Sequence, residues 1–153
     1  MYYNWLKQLI VESPITRIFT GNLRSILRKP GQKDSITLEP YRPLQLDIQD
    51  SRVRSVTDAL HHITQTETLD HGLDGTGRTM TRWGFIEKLP PILILHLKRF
   101  IYDGHGTKKV WKKIAYPLKL EIPLDVLSPT QRTERAPEFQ LFGGKLFFIQ
   151  YLM

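Results

Sequence analysis

The sequence predicts an α+β fold built mostly from antiparallel sheet, with little helix. Within the segment Tyr41–Gln49, apolar and polar residues alternate from Leu44 to Gln49, which is the period of a strand with one solvated face. Ile92–Phe100 is an apolar run of strand length that follows two prolines. Helical spacing is clear only in the short segment Val56–Gln65. The balance of these patterns favours sheet over helix.

The chain is predicted to begin with a β-hairpin. Ile15–Phe19 is rich in β-branched and aromatic residues, Gly21-Asn22 is a turn dipeptide, and Leu23–Leu27 follows as the second strand. Lys29–Asp34 is polar and contains Pro-Gly, so it is predicted to be an exposed loop. In the strand that follows, Leu44, Leu46 and Ile48 are the predicted inward residues.

One helix with a capping signal is predicted in the middle of the chain. The spacing of Ser55 and Asp58 is typical of a capping box, in which each side chain accepts from a free amide of the first turn. The helix should run from about Val56 to Gln65. Thr66–Thr81 contains three glycines and no periodicity, so we predict a flexible loop there.

The apolar run Ile92–Phe100 is the strongest predicted strand. Its first half is apolar on both faces, as in a buried central strand, whereas its second half alternates. His96, Lys98, Phe100 and Tyr102 should share one face. A glycine turn at residues 104–106 leads into Val110–Ile114, and period-two apolar residues follow from Leu118 to Ile122.

The composition excludes several kinds of functional site and indicates where in the cell the protein is expected. The 153 residues contain no cysteine, which excludes disulfides, thiolate zinc sites and a catalytic thiol in this chain. No apolar run approaches the roughly 20 residues that span a bilayer, and no signal peptide is evident. We therefore expect a soluble protein without membrane contact, located in the cytoplasm or also in the nucleus. The formal charge of +7 favours anionic partners in general.

The segment Glu87–Phe100, EKLPPILILHLKRF, closely resembles the LPP-x-L-x-x-x-LKRF signature of ubiquitin-specific proteases. These are papain-like cysteine proteases that cleave ubiquitin from its conjugates. Four further segments resemble the family in the same order along the chain: Phe19 to Ser25, Leu44 to Ile48, Ser55 to Ile63 and Ile114 to Pro117. The resemblance covers about Ser13 to Phe142 and implies an incomplete papain-like fold.

The resemblance implies a domain organisation without the cleavage chemistry. Residues 13–142 match the fingers and part of the palm, residues 1–12 form an N-terminal extension, and residues 143–153 form a divergent tail. In the family, the nucleophilic cysteine stands in an upstream Gly-Asn-Thr-Cys type box, and the base histidine in a later Gly-His-Tyr context. Neither box is present, so we expect no catalytic residue and predict an inactive segment of a deubiquitinase.

The same comparison implies a fingertip without metal. Many family members bind zinc through two Cys-x-x-Cys pairs, and the corresponding regions here, Ser25–Ser35 and Leu69–Arg82, contain no cysteine. We expect no metal and no other cofactor.

A substrate-binding surface is implied at the end of the signature strand. In the family, the aromatic that ends this strand and the tyrosine two residues later line the channel for the extended C-terminal tail of ubiquitin, with a lysine nearby. The matching residues are Phe100, Tyr102 and Lys109, and the implied partner is ubiquitin or a ubiquitinated protein. The alternative is that they are sheet-packing aromatics and a surface lysine.

Two other interpretations remain open beside the deubiquitinase segment. The chain could be a non-catalytic ubiquitin-binding module. It could instead be a basic nucleic-acid-binding domain, because Lys108–Lys113 interleaves four lysines with an aromatic. A basic strand edge that resists aggregation explains this segment better. His96 is interpreted as a structural histidine, since the chain offers no nucleophile for it to activate.

Overall fold

The described part of the computed structural model, residues 13–69, 79–102, 104 and 106–144, forms two α-helices and ten β-strands. In chain order they are α1 Pro14–Phe19, β1 Gly21–Arg28, β2 Ser35–Tyr41, β3 Pro43–Asp47, α2 Val56–Ile63, β4 Glu67–Leu69, β5 Met80–Lys88, β6 Ile94–Lys98, β7 Phe100–Tyr102, β8 Thr107–Lys109, β9 Lys119–Glu121 and β10 Glu138–Gln140. None of the described helices is long and apolar enough to cross a membrane.

Antiparallel pairing dominates the described sheets. The largest has the strand order β2-β1-β5-β4, with every neighbouring pair antiparallel. The pairs β7–β8 and β9–β10 are also antiparallel, whereas β3 and β6 run parallel. The predicted α+β class, with mostly antiparallel sheet and little helix, is confirmed.

The hydrophobic core is centred on β3. Leu44, Leu46 and Ile48 are fully buried, which confirms the inward face predicted from their alternation. α2 packs against this strand and contributes the fully buried Ala59 and Leu60. The predicted strand over residues 41–49 is divided in the structure, because β2 ends at residue 41 and β3 begins at residue 43.

The predicted capping box of α2 is confirmed. The amide of Asp58 donates to Ser55 Oγ at 3.1 Å, and the amide of Ser55 donates to Asp58 Oδ2 at 2.8 Å. The amide of Arg54 donates to the same carboxylate at 2.9 Å, and this bond is the largest cause of a lowered pKa for Asp58. The helix ends at Ile63, slightly before the predicted end.

The predicted strand Ile15–Phe19 is wrong, because these residues lie in α1. Ser13 is the N-cap, with its Oγ accepting from the amide of Thr16 at 3.1 Å, and Pro14 occupies the first turn. Proline has a backbone angle suited to this position and no amide to leave unpaired. Ser13 and Pro14 therefore favour a helix here, and their effect outweighs the strand propensity of the isoleucines.

The hairpin partner of β1 is therefore β2. The predicted loop Lys29–Asp34 joins the two strands, so that prediction is confirmed. On its other side β1 pairs with β5.

The predicted flexible loop Thr66–Thr81 is wrong at both ends. Residues 67–69 form β4 and pair with the beginning of β5, while residues 70–78 lie outside the described part. Across this pair, Arg82 and Glu67 form an ion pair at 2.8 Å. This short strand forms because β5 provides its hydrogen-bond partner, and no pattern among neighbouring residues indicates that pairing.

The signature run Ile92–Phe100 is not one buried central strand. β6 begins only at Ile94, whose side chain is exposed, and its described strand partner is β3. β7 begins at Phe100. The predicted alternation of the second half is confirmed, because residues 96, 98, 100 and 102 are all exposed while the residues between them are half-buried.

Towards the C-terminus, Phe139 lies in β10 opposite Leu120 of β9. After the glycines at positions 104 and 106, the described strand is β8, which ends at Lys109, and Val110–Ile114 follows it outside any strand. The predicted extension, residues 1–12, and the tail from residue 145 onward lie outside the described part.

We predict that Gly21→Ala destabilises the fold by about 1–3 kcal/mol, because overpacking a filled site forces backbone and side-chain shifts. A β-carbon at Gly21 would collide with the ring of Tyr41 and the carbonyl of Lys88. The free energy of unfolding from urea titration measures the effect. Gly143→Ala is the control, since a β-carbon there meets nothing, and equal stability of both variants would contradict the prediction.

Candidate functional site

The three predicted channel residues lie together on the β7–β8 hairpin. Phe100 is directly opposite Lys109 in the antiparallel register, and Tyr102 is opposite Thr107. Phe100 and Tyr102 are 46% and 77% exposed, and Ile101 between them is half-buried. Since alternate residues and directly opposed residues share a face of a sheet, all three predicted residues lie on one side of this hairpin.

Trp111 extends this side and was not recognised as a site residue in the sequence. It is 80% exposed, and Lys109 Nζ lies 4.0 Å from its ring centroid. At this distance the ammonium and the ring form a cation–π contact. The available signal was the two-residue spacing of Lys109 and Trp111, which places them on one side of an extended chain. We refer to Phe100, Tyr102, Lys109 and Trp111 as the hairpin surface.

Arg99 fixes the base of the hairpin. Its carbonyl accepts from the amide of Val110 at 2.6 Å, and its Nη1 donates to the carbonyl of Lys112 at 2.7 Å. The same nitrogen makes a longer contact with the carbonyl of Val110 at 3.4 Å. The guanidinium thus ties the segment after β8 to the residue that separates β6 from β7.

Lys112 ties the same segment to the core strand. Its Nζ donates to the carbonyl of Ile48 at 3.2 Å and to the carbonyl of Asp50. Both acceptors belong to the chain just after β3, and Ile48 is fully buried. The ammonium therefore supplies a donor to both carbonyls, and the carbonyl of Asp50 also accepts from the amide of Val53 at 3.1 Å.

A further attachment joins the segment to the start of α2. Ala115 donates its amide to the carbonyl of Arg54, and its own carbonyl accepts from the amide of Val56, both at 2.9 Å. Together with the bonds of Arg99 and Lys112, these contacts hold the hairpin surface on the most buried part of the fold.

The charge around the hairpin surface is positive. Lys98, Lys108 and Lys113 are exposed near it. Asp50 is part of the turn that receives Lys112, and its pKa lies well below the usual value because Arg52 hydrogen-bonds its carboxylate. This carboxylate stays ionised over the physiological range and offsets part of the local positive charge.

The chain contains no cysteine that could act as a thiol nucleophile. Nucleophilic catalysis by a thiol needs a thiolate, a base within reach and donors for the oxyanion, and the sequence supplies no sulfur of this kind. His96 lies exposed on β6. The hairpin surface presents exposed aromatic side chains beside the ammonium of Lys109.

Arg28 makes the contacts of the fingertip, the region that was expected to hold no metal. Its guanidinium bonds Asp34 through Nε at 3.0 Å and Nη2 at 2.8 Å, and it lies 5.0 Å from the ring centroid of Trp83. The hydrogen bond to Arg28 lowers the pKa of Asp34. Among the described residues, no group of three or more potential metal ligands is assembled.

The sequence model of the family described as ubiquitin carboxyl-terminal hydrolase matches residues 4–144. The chain belongs to this family. The resemblance read from the Leu89–Phe100 signature is therefore confirmed.

Two curated relatives show how much of a longer protein this chain represents. Probable ubiquitin carboxyl-terminal hydrolase 3 of Schizosaccharomyces pombe is 51% identical over 134 residues, which cover 86% of this chain and 26% of the relative. Ubiquitin carboxyl-terminal hydrolase 10 of Rattus norvegicus is 43% identical over 122 residues, which cover 78% of this chain and 15% of the relative. The chain thus spans about a quarter or less of these proteins. The wording of Gln45–Gln49 and Leu120–Ile122 favours the ten subfamily, and the rat relative bears that name, but the S. pombe relative named hydrolase 3 is more identical to this chain.

Solved structures share the fold. The SAGA Ubp8/Sgf11/Sus1/Sgf73 DUB module bound to ubiquitin aldehyde matches with a TM-score of 0.67 at 23% identity, over 84% of this chain and 30% of that chain. A SAGA DUB module with Ubp8 bound to monoubiquitin matches with a TM-score of 0.62 at 28% identity, over 76% of this chain and 27% of that chain. The predicted partial ubiquitin-specific protease fold is confirmed.

We predict that Lys112→Ala destabilises the chain by about 1.5–3 kcal/mol, the usual range for hydrogen bonds to a charged group. The substitution leaves the carbonyls of Ile48 and Asp50 without the ammonium donor. Urea titration measures the free energy of unfolding. Lys113→Ala is the matched control, because the neighbouring lysine is exposed. Equal unfolding midpoints for the two variants would show that Lys112 does not hold the hairpin.

Proposed function

We propose that this chain supplies one wall of the channel that holds the C-terminal tail of ubiquitin in a ubiquitin-specific protease. One observation carries the proposal: two exposed aromatics and a lysine share one side of a firmly braced hairpin, in a chain of this family. Aromatic side chains with this exposure contribute little to the core and are suited to contact a ligand.

An extended peptide fits this surface better than a compact ligand. Recognition of extended peptides combines backbone hydrogen bonds with side chains that form walls. The hairpin surface is long and open, and its residues alternate along β7 with a period that matches an extended chain. Neighbours with the same fold are bound to monoubiquitin and to ubiquitin aldehyde, which supports ubiquitin as the partner of this chain.

In this proposal the chain holds the substrate. Cleavage of ubiquitin conjugates requires a complete deubiquitinase. The base and oxyanion donors of a thiol protease act only when a thiolate is present to form the acyl-enzyme. A thiol nucleophile that acts on a tail held here must come from residues outside these 153.

The isolated chain is predicted to have no deubiquitinating activity. Purified chain, free of contaminating proteases, should leave a ubiquitin–fluorophore substrate intact, because no sulfur is available to attack the carbonyl. Fluorescence release over hours measures the reaction, with a catalytically competent family member as the positive control. Cleavage above the buffer rate would refute the inactive role.

Ubiquitin binding is predicted to depend on Phe100 and Tyr102. In a titration of isotope-labelled ubiquitin followed by NMR, the chain should shift resonances of the ubiquitin C-terminal tail. Phe100→Ala and Tyr102→Ala should each weaken binding about fivefold to tenfold, since truncating an aromatic contact typically costs more than 1 kcal/mol.

Tyr116→Ala provides the matched control, because Tyr116 is another exposed tyrosine that lies outside the hairpin. It should leave the affinity unchanged. The proposal fails if no resonance shifts at millimolar ubiquitin, or if all three variants bind equally well.

Nucleic-acid binding is the competing function, favoured by the exposed Trp111 among lysines. The contact between Lys109 and the Trp111 ring argues against it, because a base would have to stack where the ammonium lies. Affinity for single-stranded RNA that falls steeply with salt would support this alternative.

A further inference from the structure

Strand β2 forms an open edge of the largest sheet. In the described part of the chain it pairs with β1 alone, at the end of the order β2-β1-β5-β4. Six of its seven residues are exposed. An edge strand of this length presents a row of backbone donors and acceptors to any second strand.

The middle of β2 is apolar where soluble edge strands are usually protected. Ile36 and Leu38 are 56% and 54% exposed and lie on the same face of the strand. Natural edges normally carry a lysine, a proline or a bulge at such positions. Here residues 35–38 are uncharged, and the charge and proline at residues 39 and 40 come only near the end.

The exposed pair continues an apolar face of the sheet. Ile36 is opposite Ile26 of β1, which in turn is opposite Trp83 of β5. In the next row, Leu38 and Phe85 lie on either side of Arg24. Ile26, Trp83 and Phe85 are half-buried, so exposure of this face increases towards the β2 edge.

We propose that β2 pairs antiparallel with β2 of a second copy of this chain, joining two four-stranded sheets into one. A register centred on Thr37 puts Ile36 opposite Leu38 of the partner subunit, and the two-fold axis repeats this contact. Directly opposed side chains lie about 4.5–5.5 Å apart at their β-carbons, so both apolar pairs would be covered.

Charge complementarity favours a second copy over an unrelated strand. Lys33 stands two residues before β2 begins. When the same register is continued to this residue, Lys33 is diagonal to Glu39 of the partner subunit, within reach of long side chains. Both residues are exposed, and the two-fold axis generates this pair twice. Like charges do not meet in this arrangement. The register therefore satisfies the apolar and the charged residues of the edge together.

Sedimentation equilibrium of the 153-residue chain over a concentration series tests the proposal. The parent chain should show a reversible monomer–dimer equilibrium. Ile36→Lys should weaken dimerisation about tenfold, because the lysine is introduced twice at the shared edge. Leu118→Lys is the control, since Leu118 is 72% exposed and lies directly before β9, which is outside the four-stranded sheet. A parent that stays monomeric, or equal weakening by both variants, overturns the proposal.

A charge exchange tests the register itself. Lys33→Glu and Glu39→Lys should each weaken the dimer several-fold, and the double variant should restore the parent affinity. Circular dichroism of each variant checks that the fold is retained. Restoration supports the register centred on Thr37. If the double variant is as weak as the single variants, or if Trp111→Lys weakens the dimer as much as Ile36→Lys, this pairing is refuted.

Discussion

The burial of β3 is the constraint on which the rest of the described structure depends. Its inward residues are completely removed from solvent, α2 packs on it, and β6 runs parallel along its edge. The carbonyls just after it accept from Lys112. Burying backbone groups is tolerated only when each finds a partner, so the position of β3 determines where the helix, the signature strand and the Lys112 segment can lie.

The hairpin surface follows from that arrangement. The exposed and half-buried residues alternate without interruption from β6 into β7, because Arg99 is held by the segment that Lys112 attaches to β3. Phe100 and Tyr102 consequently face solvent on a hairpin whose base is held by hydrogen bonds. The fingertip shows the same use of arginine, since Arg28 joins β1 to Asp34 and to the Trp83 ring.

Patterns among neighbouring residues correctly predicted the structural elements that depend only on those residues. The capping box needs only Ser55 and Asp58, and the alternation of β3 needs only its own residues, so both were found in the sequence. α1 was missed because the strand propensity of its isoleucines was given more weight than the N-cap and proline that precede them. β4 could not be found locally, because three residues become a strand only when β5 provides hydrogen bonds.

The sequence by itself determined the family, the fold class, the absence of a thiol and the set of channel candidates, because signature residues and composition do not depend on geometry. Only the tertiary structure decided that Phe100 and Lys109 are directly opposed, that Lys109 lies against Trp111, and that Ile36 and Leu38 are on an open edge. The physical reason is that register and edge position arise from hydrogen bonds between segments far apart in the chain. No window of neighbouring residues contains that information.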